Sequence, residues 1–254
     1  MRNDESIGEL ESQAKAKGWN LRAAVCDVSD ETSCRKAVEF AHQWYGPIQV
    51  LVNNAGYGQM GLLELTNLND ARQQLEVNTL GPMRLIQLIA PDMREMKWGR
   101  IINVSSIVGR LPIPLGGWYA ASKFALEALN DILRLELSPF GIRTISILPG
   151  PVKTDFVRNA QLSTMSGAKP ALYQRAEEVY VEYRKRPRPF EVSAETVARI
   201  ILRAVESRNP RPRYYVTVPA RVSAFGRRFL TDRAVDRLLR TFYGINRLAR
   251  EVKD

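Results

Sequence analysis

Short apolar runs alternate along this chain with longer amphipathic stretches. The runs at 21–26, 48–52, 100–106, 143–148 and 213–218 are nearly continuous in apolar and β-branched residues, the pattern of strands buried on both faces. Between them, residues 6–17, 30–45, 68–96, 119–140 and 193–207 repeat apolar side chains every three or four positions, which predicts helices. The punctuation agrees. Gly18, Gly46-Pro47, Gly99 and Gly141 fall where helices should stop, Ser29 or Asp30 stands at an N-cap, and Gly81-Pro82 should bend the long 68–96 stretch. Strand alternating with helix predicts an α/β fold with a parallel, doubly wound sheet. Residues 155–190 read as irregular or helical.

Composition narrows the picture. With 254 residues and 45% hydrophobic content, the chain can bury one large core. Cys26 and Cys34 lack metal-site spacing and suit reduced thiols in a cytoplasmic protein. His42 is the only histidine, which excludes multi-histidine metal sites and argues against histidine catalysis. No apolar run reaches the roughly 18 residues of a membrane-spanning helix. The net charge of +10 is concentrated at one end: residues 184–254 carry 18 Lys/Arg against 7 Asp/Glu. We therefore divide the chain into a body, 1–220, and a basic amphipathic extension, 221–254. In the extension Phe225, Phe229, Val235, Leu238, Leu239, Phe242 and Ile245 recur at helical spacing among arginines. Two roles fit: a helix covering a pocket with its arginines in water, or a helix lying on a membrane surface. Nothing resembles a nucleic-acid-binding motif.

Chemistry is concentrated in Trp118-Tyr119-Ala120-Ala121-Ser122-Lys123, thirteen residues after Ser106. Residues i and i+4 share a helix face, so a phenol and an ammonium project together. A neighbouring cation should favour the phenolate and lower the tyrosine pKa from about 10. Ser106 closes the 100–106 run, at the strand edge where open α/β sheets bind ligands. Hydroxyl, phenol and lysine together suit proton transfer to a carbonyl or alcohol oxygen. Ser105 competes with Ser106, but adjacent strand residues face opposite sides and only one can serve.

These spacings, with Asn53-Asn54-Ala55-Gly56 after a strand, Asn78 in Val77-Asn78-Thr79, and Pro149-Gly150-Pro151-Val152-Lys153-Thr154 after another, resemble the short-chain dehydrogenase/reductases, steroid- and retinol-type members included, over residues 1–220. The resemblance implies a Rossmann-type fold and hydride transfer between NADP(H), preferred over NAD(H), and a secondary alcohol or carbonyl on a lipophilic small molecule. It implies Tyr119 as acid or base and Lys123 as its partner and ribose ligand. Ser106 would hold the substrate oxygen and Asn78 would position a relay water. For the cofactor it implies Asp27 and Val28 at the adenine, Asn54, Ala55, Gly56, Pro149 and Gly150 along its border, and Val152 and Thr154 at the carboxamide. Asn53 would tie strands together, and Arg2 would meet a 2′-phosphate. A homo-oligomer is implied for the full-length protein.

The family's opening strand, Thr-Gly-x-x-x-Gly-x-Gly turn and helix are missing from this sequence, along with most of the second strand. The expectation is an N-terminally truncated sheet and a weakened pyrophosphate site. Gly56, Gly58 and Gly61 spell Gly-x-Gly-x-x-Gly, but no helix opens at the last of them, so we read a turn and not a phosphate loop. Two rivals to the enzyme are a catalytically silent fragment and a non-enzymatic membrane-surface binding protein.

Overall fold

The structure, a computed structural model, describes residues 4–154, 156, 161–162, 175, 178–182 and 190–247. In chain order its helices are α1 (Asp4–Ala16), α2 (Glu31–Tyr45), α3 (Leu68–Leu75), α4 (Gly81–Glu95), α5 (Gly117–Leu137), α6 (Ala194–Glu206), α7 (Val218–Phe229) and α8 (Asp232–Tyr243). The main strands are β1 (Val50–Asn53), β3 (Gly99–Val104), β4 (Ile142–Leu148) and β8 (Arg213–Tyr215). The two-residue strands are β2 (Gln59–Met60), β5 (Val152–Lys153), β6 (Gln161–Leu162) and β7 (Val192–Ser193).

The four main strands form one parallel sheet in the order β1-β3-β4-β8. On one face Ile101 and Ile142 pack with Ile86, Ile89 and Met93 of α4 and Leu133 and Leu137 of α5. On the other, Ile102, Ile145 and Ile147 meet Val197 and Ala204 of α6. Both faces are covered, which is why these strands read as unbroken apolar runs. Full burial of each such side chain is worth about 1.5–3 kcal/mol.

Helix ends follow the expected signals. Asp30 caps α2 by accepting from Ser33 N–H at 2.5 Å, and Thr231 caps α8 in the same way. Gly141, at φ +75°, turns the chain into β4 where any side chain would strike the Lys97 carbonyl. The 68–96 stretch divides into α3, a π-helical turn at Glu76–Leu80, and α4. The irregular turn therefore lies just before Gly81-Pro82.

The strand expected at 21–26 is not formed; residues 19–27 have no ladder. The Ala23 N–H donates to the Glu11 side chain and the Asp27 N–H to Ser33 Oγ. A strand exists only by pairing, and no described strand lies beside this run. No described strand pairs with the outer edge of β1 either. A cleft of about 570 Å³ runs along it, lined by residues such as Val38, Tyr45, Pro47, Ile48 and Ile89. The last strand also stops early, at Tyr215, because Thr217 caps a new helix by accepting from Ala220 N–H at 3.2 Å. The boundary drawn at residue 220 thus falls inside α7.

Candidate active site

The site gathers where β3 ends and α5 begins. Ser106 leaves β3 and caps the short 3-10 turn Ile107–Gly109, its Oγ accepting from Val108 N–H at 3.1 Å. The Ser106 hydroxyl also lies close enough to the phenol of Tyr119 to lower its pKa. Ser105 takes the other side. Its Oγ is buried with no partner in the protein, facing the backbone of Gly109. Of the two serines, Ser106 is the one whose hydroxyl neighbours the phenol.

Along α5, Tyr119, Lys123, Glu127 and Asn130 fall at spacings of four, four and three, and all are buried. The Lys123 ammonium donates to the Val104 carbonyl at 2.9 Å. Asn78 lies in the π-helical turn, fully buried. Its Oδ1 accepts from Tyr57 N–H at 3.1 Å, and its Nδ2 donates to the Tyr57 carbonyl at 3.0 Å and to Ser122 Oγ at 3.1 Å. Ser122 Oγ in turn donates to the Tyr119 carbonyl at 2.7 Å. A π turn shifts side chains relative to an α-helix and recurs at functional sites. Here it turns Asn78 toward the start of α5.

The electrostatics correct one expectation. Lys123 does not pull the Tyr119 pKa below its usual value. Burial pushes the phenol up to about 12, with the nearby Ser106 hydroxyl acting against it. Burial also lowers Lys123 to about 8, opposed by the charge of Glu127. Both groups are dry, so desolvation penalises both charged forms. The result is a phenol that holds its proton and a lysine still cationic at neutral pH.

Glu127 was not identified from sequence, although its i+4 spacing from Lys123 was visible. Arg213 of β8 donates from Nε to Glu127 Oε2 at 2.8 Å and from Nη2 to Asp131 Oδ2 at 2.5 Å. The register places Asn53 opposite Asn103, Asn103 opposite Ser146, and Ser146 opposite Arg213. One polar row therefore crosses all four strands beneath α5. Asn53 Nδ2 donates to Asn103 Oδ1 at 2.8 Å and Asn103 Nδ2 to Asn130 Oδ1 at 2.9 Å.

The other candidate residues scatter around this centre. Gly56 lies against it: a Cβ there would stand 3.1 Å from Asn78 Oδ1 and 3.7 Å from Lys123 Nζ. The glycine therefore leaves open the space in front of both groups, a cradle that fits the nicotinamide-ribose end of a dinucleotide. Asn54 and Ala55 are exposed beside it. The Pro149 carbonyl accepts from Ile107 N–H at 2.9 Å, and at Gly150 any side chain would run into Thr217. Val152 pairs with Val192, and the exposed Thr154 accepts from Phe156 N–H at 3.4 Å. Asp27 Oδ1 accepts from Ser29 N–H at 2.9 Å and Ser29 Oγ at 2.6 Å. Val28 packs with Cys34 and Val77. Arg2 lies outside the described residues, as does most of 155–190. Gly56, Gly58 and Gly61 open no helix; β2 and the 3-10 turn Leu63–Leu65 follow. Beside Tyr119 an apolar cluster includes Met60, Leu115 and Tyr180, with Ile113, Phe156 and Ile245 against it. Ile245 belongs to the C-terminal extension, which thus packs on this pocket.

Known proteins resemble this chain over much of its length. A family model described as short chain dehydrogenase matches residues 1–164. The chain is 40% identical over 147 residues to 3-ketodihydrosphingosine reductase of Bacteroides thetaiotaomicron, covering 58% of this chain and 55% of that protein. It therefore spans about half that relative's length. It is 32% identical over 223 residues to NADPH-dependent 3-dehydrocapnine reductase of Ornithobacterium rhinotracheale, covering 84% of this chain and 77% of that one. Among solved structures, a short-chain dehydrogenase from Streptomyces avermitilis superposes with a TM-score of 0.75 at 27% identity, covering 95% and 85% of the two chains. A short chain dehydrogenase/reductase from Burkholderia phymatum, in complex with NAD, gives 0.73 at 26% identity, covering 88% and 80%.

Proposed function

Since this chain belongs to the short-chain dehydrogenase family, we propose that it acts as an NADP(H)-dependent oxidoreductase interconverting a ketone and a secondary alcohol on a lipophilic small molecule. The observation that carries this reading is the buried trio of Ser106 beside the Tyr119 phenol and Lys123 one turn along the same helix. When bound, the nicotinamide supplies or accepts the hydride. The chain's residues manage the oxygen and its proton. In the reducing direction the Ser106 hydroxyl holds the substrate oxygen, and Tyr119 gives up its phenolic proton as negative charge develops there. A phenol held near 12 keeps that proton until an alkoxide-like oxygen forms. Lys123, cationic below about pH 8, stabilises the phenolate left behind. Asn78 anchors the Tyr57 backbone at the cleft floor and is suited to hold a relay water.

Lys123, Gly56 and the Pro149-Gly150 turn would hold the nicotinamide end, with Asn53, Asn54, Ala55, Val152 and Thr154 around it. Asp27 and Val28 would border the adenine, and Arg2 the 2′-phosphate. The preference for NADP(H) is supported by the relative named as NADPH-dependent. A lipophilic substrate is supported by the apolar cluster against Tyr119. It is supported also by relatives named as reductases of a 3-ketodihydrosphingosine and a 3-dehydrocapnine.

The test is NADPH oxidation followed at 340 nm against long-chain 3-keto compounds, alongside Tyr119→Phe. The variant should lose about 10²–10⁴-fold in turnover while binding NADPH equally by calorimetry. Variant activity within threefold of the parent would remove Tyr119 from the chemistry.

A further inference from the structure

The helix α7 presents its apolar stripe to solvent, not to the protein. Val218, Val222, Phe225 and Phe229, spaced four, three and four, are 53%, 64%, 70% and 67% exposed. At 3.6 residues per turn they form one narrow band. Ala220, on roughly the opposite side, is completely buried. The Phe225 and Phe229 rings touch, tilted at 49° with centroids 4.8 Å apart. Past the joint, where Leu230 is also exposed, α8 is anchored by buried Val235 and Tyr243 and leaves Leu238 and Phe242 in solvent. Arg233, Arg237 and Arg240, spaced four and three, share another exposed face of α8. From Val218 to Arg247 the chain has seven arginines and two aspartates.

We infer that α7 and α8 form a docking surface for an anionic lipid bilayer, with the Val218–Phe229 stripe entering the headgroup boundary and the arginines meeting lipid phosphates. Contiguous exposed apolar patches mark interaction sites. Aromatic and aliphatic side chains beside arginine are the composition of helices that lie in a membrane interface. The charge selects the occupant. A second copy of this surface would bring the exposed Arg233, Arg237 and Arg240 against the same three arginines. A nucleic acid would engage the arginines but leave the phenylalanines in water. An anionic bilayer satisfies both, and attracts each nearby basic residue. No described helix is long and apolar enough to cross a membrane, so the mode is lying on the surface. The inference is independent of the proposed reaction.

Sedimentation of the 254-residue chain with vesicles tests it. Binding is expected to vesicles containing phosphatidylserine and not to phosphatidylcholine alone, and should weaken in about 1 M salt, where the Debye length is about 3 Å. Phe225→Ser with Phe229→Ser should reduce binding at least roughly tenfold; so should Arg233→Gln with Arg237→Gln and Arg240→Gln. All five side chains are exposed, and unchanged circular dichroism would show that the fold is kept. Failure to sediment with anionic vesicles overturns the inference, as does equal binding by both variants. Light scattering that shows a dimer converted to monomer by the phenylalanine variant would assign the surface to a second copy. Arginine-dependent binding of an oligonucleotide without vesicle binding would assign it to nucleic acid. Loss of catalysis in any of these proteins bears on the proposed reaction, not on this surface.

Discussion

Replacing Lys123 with methionine should make the protein more stable at neutral pH while destroying its site. The lysine is nearly fully buried, and burial takes its pKa from 10.5 to about 8. At about 1.4 kcal/mol per pH unit, the buried charge costs the fold about 3 kcal/mol. Methionine fills similar volume with no charge to desolvate. It leaves the Val104 carbonyl, which accepts from Lys123 Nζ at 2.9 Å, without its donor, a loss of about 1 kcal/mol. The net gain is about 2 kcal/mol at pH 7. Its pH dependence identifies the cause. Below pH 8 folded and unfolded chains both hold the proton, and the full penalty is present. Between about 8 and 10.5 the unfolded chain binds more protons, so parent stability rises with pH. Above 10.5 the penalty has gone, and the variant should be the less stable by about 1 kcal/mol. Tyr119 titrates in both proteins and cancels in the difference. Urea unfolding of parent and Lys123→Met at about pH 7 and about pH 10 measures the crossover. A variant destabilised equally at both pH values would refute the argument that burial, not pairing, governs this lysine.

Three further outcomes follow from the same structure. Glu127→Gln removes the charge that opposes burial, so Lys123 should titrate below about 8; the ¹³Cε shift of the lysine, assigned by its absence in Lys123→Met, reads this directly, and an unmoved titration would detach Glu127 from the site. Val52→Lys, at an exposed position on the unpaired edge strand β1, should reduce self-association of the concentrated chain, since edge lysines block strand addition; light scattering unchanged from the parent would absolve that edge. Arg2→Asp should narrow or reverse the preference for NADPH over NADH, because a carboxylate repels a 2′-phosphate and accepts from a 2′-hydroxyl; an unchanged kcat/KM ratio for the two cofactors would release Arg2 from that role.

Local signals foretold most of the elements. Asp30 and Gly46 bound α2 as capping rules require, and the apolar runs behind β1, β3 and β4 form strands within two residues of their expected limits. Ser106, Tyr119 and Lys123 were identifiable because their spacing along a strand end and a helix already places them together. Asn78 was suspected as an asparagine in helical surroundings, but the π-helical turn that orients it is a product of packing. Glu127 escaped because a helical glutamate four residues after a lysine usually marks a solvated face. Only Arg213, arriving from eighty-six residues away, reveals it as a buried partner.

The sequence by itself determined what is local: where helices cap and stop, which runs are apolar on both faces, and which three side chains fall close together by their spacing. Tertiary structure decided what depends on neighbours. Residues 21–26 have the composition of a strand, but a ladder needs a partner and no described strand lies beside them. The tyrosine–lysine pair has the spacing for a lowered phenol pKa, but burial reverses that shift, and burial is a property of the assembled core. The C-terminal helices have one amphipathic pattern along their length. The fold seats Ala220, Val235, Tyr243 and Ile245 against the body and turns the phenylalanine stripe outward, because periodicity defines a helix's faces and only packing chooses which one is covered.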